Sequence, residues 1–231
     1  MDRVVWLVAG NKGGVGKSVV AKSMTDWLCS ERVPVIVVEG DTRTPDVRAA
    51  FGGFLSTEKF DLSEVRGWEE YSDFICNTEF NGHIVTNLPD AISDRLIFSL
   101  LALNELAVSH DIHVKLLFVI NTLPDGLHLL ERLGEGFNDV YIVKNLYFGA
   151  PHTFAPFDQM AILHEQYEDK VILLPRMNPN IMMVVREARM SFNKFIVQTG
   201  NSRSNTTYAK MVVADWRDAM FEALADTLQG S

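Results

Sequence analysis

The stretch that decides the fold is Lys12-Gly13-Gly14-Val15-Gly16-Lys17-Ser18. It joins a short apolar run, Val4–Ala9, to a segment of helical periodicity, Lys17–Ser30. Glycines between a strand and a helix let backbone N–H groups converge on one point, where the helix N-terminus adds partial positive charge. A phosphate group suits that point, because Lys17 then reaches the β- and γ-phosphates of a nucleotide and the Ser18 hydroxyl contacts Mg²⁺. The loop therefore predicts binding of ATP with Mg²⁺, through Gly13, Gly14, Val15, Gly16, Lys17, Ser18 and Val19.

Beyond the loop, short apolar runs alternate with longer helical patterns. The predicted strands are Val4–Ala9, Pro34–Glu39, His83–Asn87, Val114–Asn121, Val140–Lys144 and Val171–Leu174. The predicted helices are Lys17–Ser30, Ser63–Asn77, Ala91–Ser109, Gly126–Leu133, Phe157–Tyr167, Asn180–Phe195 and Thr207–Leu228, with a surface loop at Gly200–Thr207. This alternation predicts an α/β fold, a mostly parallel central sheet with helices on both faces. A length of 231 residues, 47% of them hydrophobic, favours a single domain over 1–231.

Composition argues against several protein classes. The two cysteines, Cys29 and Cys76, are far apart, so paired-cysteine metal or redox sites and a disulfide framework are not expected. The histidines show no metal-site spacing. Val4–Ala9 is too short for a signal peptide, and no run approaches the roughly 20 apolar residues of a membrane helix. We expect a soluble cytoplasmic protein without membrane insertion.

The loop departs from the generic phosphate-loop pattern at two positions. Asn11 stands where glycine is usual, and Lys12 adds a lysine at the start of the loop. With these residues the sequence resembles the deviant Walker A ATPases of the ParA/MinD family, whose motif reads K-G-G-x-G-K-[ST]. In that family the first lysine contacts the nucleotide bound by the partner subunit. The resemblance implies an ATP-dependent homodimer with Lys12 and Lys17 as catalytic residues; a solvated loop lysine is the alternative for Lys12.

The second predicted strand ends in acidic residues, Glu39 and Asp41. Carboxylates at the end of a parallel strand point into the ligand crevice. The family carries a D-x-D pair here, whose second member orients the attacking water. The resemblance thus makes Asp41 a catalytic residue near the metal, with Glu39 supporting the magnesium shell. The alternative for Asp41 is an ordinary strand-end turn.

The third strand ends at Asn87, followed by Pro89 and Asp90. The family pattern is Asp-x-Pro, so Asn87 stands where the Walker B aspartate is expected. An amide can hydrogen-bond a magnesium-bound water but brings no charge, which predicts weaker metal binding or slower turnover. Asp90 could compensate, although its position is more typical of a helix start. Asn87 as a helix cap is the alternative.

Two later strand ends resemble the family's adenine site. Asn145 matches the asparagine that reads the base, and Pro175 with Arg176 matches the loop that flanks it. An amide pairs both an amine and a ring nitrogen, which suits adenine. A turn-forming asparagine is the alternative.

Positive charge is concentrated late in the chain. Between 176 and 210 only Glu187 opposes Arg176, Arg186, Arg189, Lys194, Arg203 and Lys210. Arg186, Arg189 and Lys194 lie at roughly helical spacing, and ParA-type relatives bind DNA non-specifically through basic surface, so a DNA-binding patch is one interpretation. A solvated basic face is the other. The last helix has an acidic polar face and is expected to pack on the body of the protein rather than on a membrane.

The small size and the departure at Asn87 are most similar to the StbB/TraL-type ATPases of conjugative plasmids. The resemblance implies a slowly hydrolysing, ATP-switched dimer in plasmid DNA positioning, stability or conjugative transfer, with a partner protein from the same plasmid or operon. Two alternatives stay open. One is a metabolic or assembly enzyme of this fold, such as an ATP-dependent ligase or kinase. The other is a nucleotide-binding module with little hydrolysis.

Overall fold

The computed structural model describes residues 3–10, 12–90, 94–134, 136–137, 139–160, 165–199 and 206–229. Its centre is a sheet of seven strands. They are β1 (Arg3–Gly10), β2 (Val35–Glu39), β3 (Ser56–Lys59), β4 (His83–Asn87), β5 (Ile112–Ile120), β6 (Val140–Asn145) and β7 (Val171–Leu174). Their order is β3-β2-β4-β1-β5-β6-β7, and every pairing in the sheet is parallel. The predicted α/β fold with a parallel sheet is confirmed.

Helices cover both faces of the sheet. They are α1 (Lys17–Ser30), α2 (Asp46–Phe51), α3 (Val65–Asn77), α4 (Asp94–Val108), α5 (His128–Gly134), α6 (Ala155–Asp158), α7 (Pro179–Glu187), α8 (Phe192–Val197) and α9 (Thr207–Gln229). One apolar cluster joins the sheet to α3, α4 and α5, and includes Leu7, Leu100 and Phe118. The other joins it to α1, α2 and the last three helices, and includes Val8, Met24 and Val213. Inner strands such as β2 and β6 bury side chains on both faces, which is why they appear as continuous apolar runs.

Two elements of the structure were not predicted from the sequence. Strand β3, Ser56–Lys59, is an edge strand of polar residues with its outer positions exposed. Helix α2 has only six residues, with Val47 and Phe51 fully buried. Pairing with β2 stabilises β3, so its assignment depends on tertiary structure rather than on local pattern.

Two predicted helices are wrong in extent. Asn180–Phe195 is two helices, because Arg189 adopts a positive φ of 49° and the Ser191 hydroxyl accepts a hydrogen bond from Lys194 N, which caps α8. Phe157–Tyr167 is not continuous either, since α6 ends at Asp158 and Met160 is not helical. Several predictions fall outside the described residues: Asn11, the helix start at 91–93, His164 and the loop at 200–205 with Arg203.

The sheet topology positions the functional residues. Strand β1 lies in the middle, between β4 and β5, and the carboxyl ends of the parallel strands share one edge. In such sheets ligands bind outside that edge, near the point where the strand order reverses. The glycine loop and Asp41 follow β1 and β2 there, and Asn87 and Asn145 are the last residues of β4 and β6. Within the described ranges, no helix combines the length and apolarity that crossing a bilayer requires.

Candidate nucleotide site

The glycine loop makes a tight turn between β1 and α1. Gly14 and Gly16 have positive φ angles of 78° and 108°, values that favour glycine. Val15 between them is fully buried, so the loop is anchored to the core at its middle. Helix α1 begins at Lys17, directly after the loop, and no side chain caps its N-terminus. An oxyanion can accept hydrogen bonds from such a turn.

The two lysines of the loop occupy different environments. Lys17 is 5% exposed, and its Nζ lies 2.5 Å from Asp90 Oδ1. Lys12 is 39% exposed, and its Nζ lies 3.4 Å from Asp125 Oδ2 on a surface loop. The structure therefore directs Lys17 into the cleft and Lys12 towards solvent. A charge at the surface is the arrangement that an action in trans would need, although the predicted trans role stays a prediction.

Glu39 is buried and held by four hydrogen bonds. Its carboxylate accepts from the backbone N–H groups of Val47 and Arg48 at 3.0 and 3.2 Å, which fixes the start of α2. It also accepts from Asp41 N at 3.3 Å and from Asn87 Nδ2 at 2.8 Å. Burial raises the pKa of Glu39 above its ordinary value despite these bonds. Glu39 thus organises the carboxyl ends of β2 and β4, and its expected support of the magnesium shell stays a prediction.

Asp41 lies in the same cleft as Lys17 and Ser18, with its own carboxylate engaged. It accepts from the N–H groups of Arg43 and Thr44 at 3.0 and 3.3 Å and from the Thr44 hydroxyl at 2.7 Å. Burial alone would raise the pKa of Asp41, but these hydrogen bonds outweigh burial and hold the pKa below its usual value. The residue is therefore ionised at neutral pH. Its geometry is that of a strand-end turn, and the water-orienting role remains a prediction.

Asn87 supplies an oxygen suited to a hydrated cation. Its Nδ2 donates to Glu39 and lies 3.5 Å from the Ser18 hydroxyl. Its Oδ1 is buried with no hydrogen-bond partner in the described part of the chain. Buried polar atoms are rarely left unpaired, so this oxygen marks a place for a water or an ion. Ser18 and Asn87 offer neutral oxygens, which fits Mg²⁺ that keeps several waters and binds mainly to phosphates.

The Asn145 side chain is hydrogen-bonded to the glycine loop. Its Nδ2 donates to Val15 O at 2.7 Å, and its Oδ1 accepts from Tyr147 N at 3.0 Å. A Cβ on Gly16 would lie 2.6 Å from this Nδ2, so the side chain packs directly against the turn. These bonds assign Asn145 to bracing the loop. Each of its polar groups makes one bond inside the chain, and the predicted pairing with adenine stays a prediction.

Two clefts adjoin the glycine loop. The first, of about 240 Å³, is lined by Lys17, Ser18, Asp41, Asn87 and Asp90 on the phosphate side and by Met182, Val185 and Arg186 of α7 opposite. The second, of about 280 Å³, is mainly apolar and is lined by Asn145, Pro175, Met177, Pro179 and Trp216. Pro175 O accepts a hydrogen bond from Trp216 Nε1 at 2.7 Å, which fixes the predicted base-flanking loop. Arg176, the other residue predicted there, is exposed and does not line either cleft.

Arg186, Arg189 and Lys194 do not lie on one continuous helix. Arg186 is on α7 and pairs with Asp46 of α2 at 3.3 Å, beside the first cleft. Arg189 follows the end of α7. Lys194 is on α8, with its Nζ 5.7 Å from the Phe54 ring centre. The helical spacing expected for these residues is therefore wrong, because the chain turns between them.

Sequence reasoning missed Lys22. It lies one helical turn after Ser18 on α1, is 5% exposed and lines the first cleft. Burial lowers the pKa of its amine. The spacing i, i+4 from the loop serine was the available signal, since such residues share a helix face. A second lysine thus borders the cleft beside Lys17.

Comparison with known proteins places the fold. No family model matches the chain. A curated relative, protein MobD of Acidithiobacillus ferrooxidans, is 28% identical over 204 residues, covering 84% of this chain and 86% of the relative.

Three solved structures share the architecture at low identity. A nucleotide-binding protein from Archaeoglobus fulgidus in complex with ADP has a TM-score of 0.57 and 14% identity, covering 81% of this chain and 88% of that one. The MinC:MinD cell division protein complex of Aquifex aeolicus has a TM-score of 0.54 and 14% identity, and the match covers 94% of this chain and 95% of that one. A candidate plasmid partition protein from Borrelia burgdorferi bound to AMPPNP has a TM-score of 0.53 and 12% identity, and the match covers 94% of this chain and 98% of that one. The chain therefore has the fold of the ParA/MinD-type P-loop proteins, and the resemblance expected from the sequence is confirmed at the level of fold.

Proposed function

We propose that this chain is an ATP-binding, slowly hydrolysing switch that dimerises on ATP and serves plasmid DNA positioning, stability or conjugative transfer. The observation that carries the proposal is the different exposure of the two loop lysines. Lys17 is buried in the cleft and Lys12 reaches the surface beside it. The shared fold with MinD and with a candidate plasmid partition protein bound to AMPPNP supports the same assignment.

The cleft is suited to a nucleotide. The glycine loop and α1 supply N–H groups for the phosphates, and Lys17 supplies a cation. Ser18 and Asn87 would hold hydrated Mg²⁺, which neutralises phosphate charge when bound. The apolar cleft bounded by Pro175 and Met177 would take the base, with Asn145 setting the loop's shape rather than reading the ring.

The proposal of slow hydrolysis rests on Asn87 and Asp41. Asn87 brings no negative charge to the metal shell, and Asp41 is held by three hydrogen bonds within its own turn. A nucleotide-binding module with little hydrolysis is the second candidate, and the same two residues favour it. In that case occupancy of the site by ATP or ADP, rather than turnover, would be the signal.

The decisive test compares wild type with Lys12→Ala. Molecular mass and ATPase rate are measured with ATP and Mg²⁺, and also with AMPPNP. Arg66→Ala is the matched control, because it removes another exposed positive charge, on α3, away from the cleft. We expect wild type and the control to dimerise with AMPPNP and Lys12→Ala to remain monomeric. A monomeric wild type would overturn the dimer, and a dimeric, fully active Lys12→Ala would overturn action in trans.

Direct DNA contact is proposed for the exposed part of the basic segment. Arg189 and Lys194 are exposed and form no ion pair within the ranges that the structure describes. DNA binding should weaken steeply with salt, because each phosphate contact releases counterions. The double variant Arg189→Ala with Lys194→Ala should lower the salt slope by about two. Duplex binding that is unchanged in the double variant would reject this surface.

A further inference from the structure

Asp90 places a carboxylate directly on the glycine loop. Its Oδ1 lies 2.5 Å from Lys17 Nζ. A Cβ built on Gly13 would lie 3.3 Å from its Oδ2, so the second oxygen also faces the loop. The lysine is buried while the Asp90 side chain is 49% exposed. The carboxylate therefore covers the loop from the solvent side, at the mouth of the first cleft.

The backbone around Asp90 is firmly anchored. Leu88 is fully buried, and its N–H donates to Val8 O at 3.1 Å. Asn87 O accepts from Gly40 N at 2.8 Å. The Asp90 side chain lines the first cleft.

We propose that Asp90 determines the preference between ATP and ADP by competing with the γ-phosphate for Lys17; this rests on the proposed nucleotide site. In a phosphate loop of this type the lysine reaches the β- and γ-phosphates. A γ-phosphate brings its charge closest to the mouth of the cleft, where Asp90 already holds the amine. Like charges at such short range repel, so Asp90 disfavours ATP more than ADP.

Binding of ATP then has a structural consequence. Either Asp90 moves away from Lys17 or it remains with an unfavourable contact. Because the Asp90 side chain is half exposed, it can turn towards solvent without moving the anchored backbone at Leu88. Asp90 is thus a specificity-determining residue, and a ligand that distinguishes two states shifts their populations.

The opposite hypothesis makes Asp90 a support of the metal shell. A carboxylate near Ser18 and Asn87 could replace the charge that Asn87 lacks. The two hypotheses predict opposite changes in ATP affinity when the Asp90 carboxylate is removed. If Asp90 supports Mg²⁺, its removal weakens binding of the magnesium complex of ATP, whereas competition with the γ-phosphate means that removal strengthens it.

The test measures dissociation constants for AMPPNP and ADP by titration calorimetry, with Mg²⁺ and with EDTA. The variants are Asp90→Asn and Asp90→Ala, with thermal unfolding to verify folding. Asp94→Asn is the matched control, since this exposed aspartate four residues later pairs with Arg132 outside the cleft. We expect Asp90→Asn to tighten AMPPNP about tenfold and ADP less than about threefold, as for loss of one like-charge contact. The control should match wild type.

Unchanged or weaker AMPPNP binding in both Asp90 variants would overturn the inference and leave the proposed function standing. Equal tightening of AMPPNP and ADP would also overturn it, because the γ-phosphate would then not be the competitor. A wild type that binds neither nucleotide would overturn the proposed function and the inference together.

Discussion

Asn87 donates its side-chain N–H to Glu39 Oε1 at 2.8 Å, joining the carboxyl ends of β4 and β2. Both residues are buried, and Glu39 is fully so. An aspartate at position 87, as the ParA/MinD pattern has it, would place two carboxylates in contact here. The amide is therefore matched to the glutamate on the neighbouring strand. The departure at Asn87 and the presence of Glu39 are two parts of one arrangement.

Asn87→Asp should destabilise the protein in the absence of metal. The substitution replaces a hydrogen bond with contact between like charges, and we expect a loss of about 2 kcal/mol in the free energy of unfolding at pH 7. Because one carboxyl of the pair then takes up a proton, the loss should shrink as the pH falls. Mg²⁺ with nucleotide should restore part of the stability and bind more tightly than to wild type. Urea unfolding in EDTA and in Mg²⁺ with ADP measures both effects.

Asn87→Ala separates charge from hydrogen bonding. It removes the bond to Glu39 without adding a carboxylate, so it should gain no stability from Mg²⁺ relative to wild type. If Asn87→Asp is no less stable than Asn87→Ala at pH 7 in EDTA, the expected repulsion between the carboxylates at positions 39 and 87 is absent.

The two positive-φ glycines of the loop should respond differently to alanine. Gly14 has open space around a built Cβ, whereas a Cβ on Gly16 would meet Asn145 Nδ2 at 2.6 Å. Gly14→Ala should cost about 1 kcal/mol of backbone strain. Gly16→Ala carries that strain and also displaces Asn145, so we expect about 2–3 kcal/mol and a loss of nucleotide affinity. Thermal unfolding and ADP titration of the pair provide the check, and equal effects would contradict the packing argument.

The sequence predicted the features that depend on local pattern. Six strands were recognised because strands buried on both faces are continuous apolar runs, as in Val35–Glu39. The glycine loop was recognised because its glycines, lysine and serine are contiguous. The polar strand Ser56–Lys59 escaped notice because its order comes from pairing with β2. The break after Glu187 was missed because Arg189 takes a positive φ that only the folded context imposes on a non-glycine residue.

The site was harder to predict where partners are distant in sequence. Asn145 and Val15 are separated by 130 positions, and Lys17 and Asp90 by 73. Residue type alone allows an asparagine to read a base or to brace a loop, and only the fold decides which donor meets which acceptor. Glu39 is a similar case, since two of its four hydrogen bonds come from the backbone of α2, which the sequence did not reveal.

Asn145→Ala should weaken nucleotide binding without changing the preference for one base over another. The side chain holds Val15 O and packs on Gly16, so its removal loosens the loop that binds phosphate. We expect affinity for ADP and GDP to fall by a similar factor, about five- to tenfold, as for loss of one buried hydrogen bond. Competition titrations with both nucleotides measure the ratio. A selective loss of ADP binding would instead support the interpretation that Asn145 reads adenine.

Asp26 should make stability depend on pH. It is buried on α1 and accepts a hydrogen bond from Asn193 N at 3.1 Å, which ties α1 to α8. Burial raises its pKa from 3.8 to about 6. The folded protein therefore keeps this proton when the unfolded chain has lost it. The stabilisation is fully present below pH 3.8 and is lost as the pH rises through about 6. Its size is about 3 kcal/mol, from 1.36 kcal/mol per pKa unit.

Asp26→Asn isolates this contribution, because the amide stays neutral and keeps an oxygen to accept from Asn193. Urea unfolding of both proteins between pH 4 and 8 yields a difference in free energy that cancels the other titrating groups. We expect wild type to lose stability relative to Asp26→Asn from pH 4 to 6.5, and the difference to be constant above pH 7. This direction is opposite to that of a salt-bridged aspartate, whose stabilisation appears as the pH rises. A difference that is flat, or that favours wild type with rising pH, would show that Asp26 is ionised in the folded state at acidic pH.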